Sequence, residues 1–588
     1  MDRHDTQNRM KPHENLDAMR HTAAHILAAA SQQLRPDTKL GVGPAIENGF
    51  YHDIDVADRY SENDLEKLQA EMEKIKEQDL PIEQREIPKD EARQLFSHDP
   101  YKLELIDELP GETVGISDMG NGFFVTLCKG GHVASTGQIG AFKLTHLAGV
   151  YWKGDATRPQ LQRIYGVLFH TQAELEQHLK SLEEAKKRDH RKLGKELDLF
   201  TFSPLVGSGL PLFTPRGNLI RRELENFLQS IQEPLGYERV WIPHLAKPEL
   251  YKTSGHWDKF KEDLFHVKGH GDEAFVVKPM NCPHHTQIYA SRPRSYRDLP
   301  LRFSEVTTVY RDEQPGELQG LSRVRSITQD DAHIFCRMDQ VEQEITTVLK
   351  IIDTFYAAFN FELKPRLSLR DPAHAEKYLG SAEVWNEAES ILRRLLEQRG
   401  VPFVEGVGEA AFYGPKIDFM AVDSLGRTWQ LATAQLDFNQ PARFGLEYIN
   451  ESGTKEQPVM IHRAILGAIE RFIAILLEHY AGALPVWLSP THVAVLPISD
   501  EQLTYAQEVA GTLKQAGIRA EVDERSESIG KKIRNAELQK NPVILVVGKK
   551  EVEQQTVSVR WRGKGDQGAQ PLTAIQGELA QAILKRQA

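Results

Sequence analysis

Residues 301–336 read LRFSEVTTVYRDEQPGELQGLSRVRSITQDDAHIFC, and this stretch restricts the fold more than any other. "RFSEVTTVYRDE" is rich in β-branched and aromatic residues and reads as a strand. The loop "QPGELQGLSR" then leads to Arg323 and a return strand, which makes an antiparallel hairpin. Further strand-like runs, "AFVVKP" and "KIDFMAVD", alternate with helices and long loops across 193–485. Strands that follow one another as hairpins imply a mainly antiparallel sheet with helices against it. Arg311 closes the first strand, and Glu313, two residues on, shares its face. An arginine fixed on a strand can grip a phosphate or carboxylate bidentately; a surface salt bridge is the bland alternative. Two more features sit in the same block. Pro243 follows a helix and a strand, and "HRAILGAIERF" reads as a glycine-bearing helix start in which Arg471 follows His462.

With 588 residues the chain is too long for one hydrophobic core. Hydrophobic residues at 40% and charged residues at 27% describe an ordinary globular protein. No apolar run approaches the roughly 18 residues of a membrane span. The N-terminus "MDRHDTQNRMKPHENLD" has neither the apolar core of a secretory signal nor the character of a transit peptide. The 3 cysteines form no disulfide framework, so a reducing, cytoplasmic setting is expected. A net charge of -12 argues against wholesale coating of nucleic acid but leaves room for local basic patches. The pattern divides the chain into an α+β segment at 1–170, a linker helix at 171–192, a central α+β block at 193–485 and a small α/β domain at 486–588. The first segment has a helix at 21–33 and short strands such as "FYHDIDV". The linker, "TQAELEQHLKSLEEAKKRDHRKLGKELDLF", reads as one long charged helix whose basic run is either a solvated face or an RNA-backbone contact. In the last domain, strand-like runs alternate with helices at 500–516 and 529–540. The fold class is therefore α+β and α/β, multidomain.

Two short patterns pair chemical side chains at a spacing of four. "HTAAH" puts His21 and His25 on one helix face. It lacks the glutamate of the zinc-protease helix, because Thr22 follows the first histidine. "CKGGH" repeats the spacing with Cys128 and His132, but Gly130 and Gly131 favour a loop. One cysteine and three histidines are a competent zinc set. A metal-free catalytic site fits the same spacing. Cys282, His333 and His462 are too scattered for any local pattern, and each alone reads as a core residue.

Together with "GHWDKF", "KPMNCPHH", "SYRDLPLR", "FYGPKIDF" and "MIHRAILGAIERF", these stretches resemble the signature motifs of class II aminoacyl-tRNA synthetases in their threonyl-tRNA synthetase form. The resemblance runs from His21 to the C-terminus. It implies a ligase that joins L-threonine to ATP, giving threonyl-adenylate and pyrophosphate, and then esterifies tRNA(Thr). It places Arg311 on the α-phosphate, Arg471 and Arg323 on the β/γ phosphates, and Glu313 on the adenine amino group. Gln329, Tyr413, Lys416, Gln430 and Gln435 line the amino-acid and nucleotide pockets in the family; simple alternation in a sheet is the other reading. His256 matches a histidine that takes the ribose proton; a structural histidine beside Trp257 is the alternative. Mg2+ accompanies ATP.

By the same resemblance Cys282, His333 and His462 hold one Zn2+ per subunit, with a position left open for substrate. Asp331 accepts a hydrogen bond from the threonine hydroxyl, and Cys336, one turn after His333, is packing rather than a fourth ligand. Valine, which has no hydroxyl, is refused at such a site. Serine differs from threonine by one methyl, worth roughly 1–3 kcal/mol, so a second hydrolytic site is the physical remedy. The first segment resembles the editing domain of bacterial threonyl-tRNA synthetases, with His21, His25, Cys128, His132 and Lys102 at its site. Spacing does not separate metal-bound from metal-free; the resemblance favours metal-free. Three departures stand out: His52 where the family often has tyrosine, Thr126 where it often has aspartate, and "KGG" in place of arginine–glycine–proline. Many relatives begin with a ubiquitin-like domain, and the resemblance here is to a form without it. The C-terminal domain resembles an anticodon-binding domain in which Glu551 and Arg560 meet anticodon bases and Ser526 replaces an asparagine; a surface salt bridge is the plainer reading of the charged pair. A homodimer and no membrane association are implied. The rival from another class is a non-catalytic paralogue acting as an RNA-binding regulator. Such a chain is expected to lose motif arginines or zinc ligands, and all are present.

Overall fold

The computed structural model describes residues 12–155, 157–271 and 273–586. The N-terminal stretch in which no targeting signal is read lies, through residue 11, outside the described residues. Two compact units divide the chain, Met1–Glu183 and Glu184–Ala588.

The first unit is organised by the helix Pro12–Leu34, longer than the helix expected at 21–33. Its alanine-rich face lets other elements approach closely, and Ala23, Ala24, Leu27, Ala28 and Ala30 are fully buried. Leu68, Met72 and Ile75 of the helix Leu65–Glu77 join them with Phe50 and Ile54 of the strand Gly49–Asp55 in one core. That strand pairs antiparallel with Gln160–Phe169, which pairs with Ala141–Tyr151. A separate antiparallel sheet joins Ile82–Pro88, Thr113–Met119 and Phe124–Leu127. "CKGGH" leaves the last of these strands as a loop, with Gly130 and Gly131 at φ 99° and 89°, in the region glycine tolerates.

The second unit is built on an 8-stranded sheet. Its middle is antiparallel throughout, in the order Leu301–Tyr310, Ser326–Cys336, Val459–Ala468, Thr428–Asp437, Lys416–Val422 and Glu362–Leu369, with short parallel strands at both edges. The helices Pro215–Gln232, Val341–Tyr356 and Ile469–His479 bury their apolar faces against it in the largest core. The expected hairpin is present: Leu301 to Tyr310 pair residue by residue with Phe335 to Ser326. Towards the C-terminus, Ala520–Val522, Val493–Pro497 and Val543–Val547 run parallel, and Thr556–Trp561 and Gly565–Pro571 add an antiparallel hairpin.

Three local expectations are corrected. The linker is two helices, Gln172–Arg188 and His190–Glu196. Asp189 breaks it: its side chain accepts the Arg191 amide at 2.8 Å and caps the second helix. "HRAILGAIERF" is a strand through Ala468, and the helix starts only at Ile469. Gly467 makes that turn at φ 69°, where an added Cβ would come within 2.9 Å of the Leu431 carbonyl oxygen. Cys336 is not one helical turn from His333 but three residues along the same strand, fully buried in the core, so it packs as expected.

Candidate active site

The antiparallel register brings together what the sequence scatters. His333 and His462 are direct partners across adjacent strands, and Gln435 sits opposite His462 on the other side. Cys282, the first residue of the helix Cys282–Ala290, completes the group. One ligand atom from each of the three lies within 4.8 Å of the others, and all three residues are buried. The His462 Nε2 is 2.8 Å from Asp437, which leaves Nδ1 free. The His333 Nδ1 is 2.8 Å from His285 Nδ1, which leaves Nε2 free. A thiol and two oriented imidazoles fit a zinc ion with an open position. Burial pushes the Cys282 thiol well up and His333 well down. The imidazole is thus ready to ligate, and binding a cation has to displace the thiol proton.

Asp331 faces this trio. Its carboxylate accepts Asn281 Nδ2 at 3.1 Å and lies 3.7 Å from His333 Nε2. The Tyr413 ring stacks on His462 at 4.8 Å and its hydroxyl donates to Gln435. His256 is buried with Nδ1 2.8 Å from Ser254 and Nε2 3.7 Å from the Cys282 sulfur. Burial pushes it down to about 3, so it is neutral. Its ring neighbours are Phe260, Phe412 and Tyr413; Trp257 packs on His266 instead. Gln329 lies on the His333 strand, across a bulge from Asp331. Lys416 and Gln430 both turn to the fully buried Asp418, which Ser368 and Thr433 also reach.

The arginines form a second focus. The Arg311 Nε is buried without a partner among the described residues, and burial lowers its guanidinium from its ordinary value. Arg471 donates to the Ser322 carbonyl at 3.0 Å. Burial, then the cations Arg311 and Arg323, lower its guanidinium too. Three guanidiniums around one half-buried spot repel one another unless an anion joins them. Arg323 is held by Glu313 at 2.8 Å and by Glu317 at 2.9 Å. Glu313 and Arg323 are thus each other's partners here. In the C-terminal part, the Glu551 carboxylate caps its own helix by accepting the Gly548 amide at 2.9 Å, and Arg560 pairs with Asp566 at 3.4 Å.

The first unit brings the other two pairs together. His21, His25, Cys128 and His132 each offer an atom within 4.8 Å of the rest. The Cys128 sulfur is 3.1 Å from His132 Nε2 and 3.7 Å from His21 Nε2. Thr22, between the two helix histidines, holds His132 Nδ1 at 3.2 Å. Burial pushes His132 down to about 3 and His25 well down, and it raises the Cys128 thiol. The cluster is neutral. It opens onto a cavity of about 730 Å³ with apolar walls that include Val42, Pro44, Leu105 and Leu127. Lys102 lines the cavity; burial pushes it down to about 8, and its ammonium donates to the Gly41 carbonyl at 2.9 Å. Two of the three departures, His52 and Thr126, line it as well. The His52 ring nitrogens and the Thr126 hydroxyl are buried without partners among the described residues.

Comparison with known proteins places the chain in a family. Residues 265–480 match the tRNA synthetase class II core domain (G, H, P, S and T), residues 492–582 an anticodon binding domain, and residues 114–165 the threonyl and alanyl tRNA synthetase second additional domain. The threonine–tRNA ligase of Rubrobacter xylanophilus is 48% identical over 574 residues, 96% of this chain and 89% of that protein. That of Thermosynechococcus vestitus is 48% identical over 581 residues, 97% and 96%. The chain belongs to the threonyl-tRNA synthetase family. Among solved structures, the RNA binding domain of threonyl-tRNA synthetase from Cryptosporidium parvum superposes with TM-score 0.64 and 36% identity, covering 67% of this chain and 98% of that one.

Sequence reading of this synthetase misses the residues behind the first rank. His285 and Asp437 orient the imidazoles of His333 and His462. Both are visible only once the fold supplies contacts; the doubled histidine in "CPHH" is the sole local signal. Asp330, adjacent to Asp331, points the other way and ties the sheet together through Arg463 and the amides of Ile465 and Leu466. A third Asp–His–Glu group, Asp189, His190 and Glu478, has metal-like spacing. Its imidazole is already committed, with Nδ1 to Glu478 and Nε2 to the Leu321 amide.

Proposed function

We infer that the chain is a threonine–tRNA ligase that activates threonine with ATP, transfers it to tRNA(Thr) and removes misattached serine at its N-terminal cluster. The class II core, the anticodon-binding match and the near-full-length relatives support the ligase reading. The observation that carries the assignment of residues is the register pairing of His333 with His462 beside Cys282, on the same sheet as Arg311. Arg311 neutralises charge developing at the α-phosphate, while Arg471 and Arg323 take the outer phosphates, accompanied by magnesium; positioning and electrostatics are most of what this reaction needs. Glu313 leaves Arg323 to meet the adenine amino group. A zinc held by Cys282, His333 and His462 would supply a Lewis acid open to the amino group and hydroxyl of threonine. Asp331 accepts from that hydroxyl, and valine has nothing to offer it. His256, kept neutral, is available to take the ribose proton in transfer.

In the first unit a neutral His25 or His21 can accept a proton from water attacking the seryl ester. The raised thiol disfavours a Cys128 thiolate as nucleophile in the ion-free cluster, which leaves water as the attacking group. The proposed boundaries are 1–170 for editing, 171–192 for the linker, 193–485 for catalysis and 486–588 for the anticodon, with Glu551 and Arg560 swinging to RNA bases. A homodimer working in the cytoplasm completes the reading; no helix among the described residues is long and apolar enough to cross a membrane. Aminoacylation of tRNA(Thr) with threonine, serine and valine, with zinc quantified on the same sample, tests it. Threonine charging, no valine charging and about one zinc per chain are expected. Failure to charge threonine leaves the RNA-binding regulator.

A further inference from the structure

We propose that His190 is a positioning residue for adenylate formation, clamping the base of the loop that presents Arg323 to ATP. His190 is buried and begins the helix His190–Glu196. The Leu321 amide donates to its Nε2 at 3.0 Å. An amide can only donate, so Nε2 is the unprotonated nitrogen and Nδ1 carries the hydrogen. That hydrogen goes to Glu478 Oε1 at 2.6 Å, and the same oxygen accepts the His190 backbone amide at 3.1 Å. Arg427 holds the other oxygen of Glu478. The tautomer is fixed from behind, and the ring presents one acceptor to the loop.

Three consecutive loop residues then divide the work. The amide of Leu321 is held by His190, the carbonyl of Ser322 by Arg471 at 3.0 Å, and Arg323 carries the guanidinium that the loop presents. Leu321 is fully buried, so its amide has no water to fall back on once the ring is removed. Gly320 makes the approach possible: it sits at φ 50°, and a Cβ there would stand 2.3 Å from His190 Nε2. Glu478 and Arg471 belong to one helix, Ile469–His479. His190 therefore ties the phosphate-facing loop to the far end of the helix that supplies the other phosphate-facing arginine.

The inference rests on the reading of Arg323 and Arg471 as phosphate ligands, and its test separates the two. ATP–pyrophosphate exchange is measured as KM for ATP, KM for threonine and kcat, alongside amide hydrogen exchange of the segment containing Leu321. His190→Ala is expected to raise KM for ATP about tenfold, the cost of stranding one buried donor, with little change in KM for threonine and faster exchange at the loop. His190→Gln, whose amide oxygen reaches the Nε2 position, is expected to restore both readouts. His190→Asn, which reaches only towards Glu478, is expected to behave like alanine. Gly320→Ala leaves the ring intact and pushes the loop off it, so it carries the test if a His190 variant does not fold. The clamp is overturned if loop exchange and KM for ATP stay at wild-type values in His190→Ala or Gly320→Ala, or if glutamine and asparagine act alike. If Arg323→Ala leaves KM for ATP unchanged, the phosphate reading fails, and the clamp stands or falls on loop exchange alone.

Discussion

Arg311 is half-buried, but its Nε is fully enclosed without a partner among the described residues, a costly state for a cation unless its partner is the substrate. Arg311→Ala is expected to lower kcat for ATP–pyrophosphate exchange by about 10²–10³, the usual loss on removing one preorganised charge. Folding should survive, as a thermal melt will show. Cys282 makes a different demand. Cys282→Ser keeps the shape but offers a poor zinc donor; equilibrium dialysis against zinc should show stoichiometry falling towards zero and valine discrimination lost in activation assays. His52 and His492 are buried, with burial pushing both down to about 3. The unfolded chain takes up these protons near 6.5 while the folded chain refuses them. Stability therefore rises with pH between about 3 and 6.5 and is flat above, with a limiting slope of about 1.4 kcal/mol per pH unit for each such proton. His492→Gln should flatten the acid limb of a Tm-against-pH curve.

Elements decide how much is legible without coordinates. The hairpin at 301–336 is legible because both strands and their loop are contiguous, so local pattern and pairing agree. The pairing of His333 with His462 is not, because register between distant strands is set by which faces are buried across the whole sheet. The broken linker shows the converse. Its apolar period continues through the break, but Asp189 caps the second helix, a signal present in the sequence and outweighed by periodicity. Gly467 reads as a helix residue because glycine is silent about φ. Gly467→Ala, forced to hold φ 69° against the Leu431 carbonyl, should cost about 1–2 kcal/mol in urea unfolding and loosen the start of the Arg471 helix.

At the scale of the whole molecule, the class II core match and the second-additional-domain match fall in different compact units. Changes in one are expected to leave the other's chemistry intact. His25→Ala should charge tRNA(Thr) with threonine at the wild-type rate yet accumulate Ser-tRNA(Thr), read by acid-gel separation of charged species. His52→Tyr and Thr126→Asp, introduced together, measure what the altered pocket has changed. Resemblance locates the cluster at His21, His25, Cys128 and His132, but its neutrality is a property of burial that no string of letters displays.

The cross-strand histidine pair also sets an order of events during synthesis of the chain. Cys282 leaves the ribosome first and His333 next, but the three candidate ligands are not assembled until the strand Val459–Ala468 has slotted beside Ser326–Cys336. A nascent chain stopped short of His462 has a thiol and an imidazole and nowhere to seat an ion. On the zinc reading, metal loading would act as a completion mark: a sheet able to hold the ion has already closed in the correct register, since a slip of a single residue turns one imidazole to the opposite face.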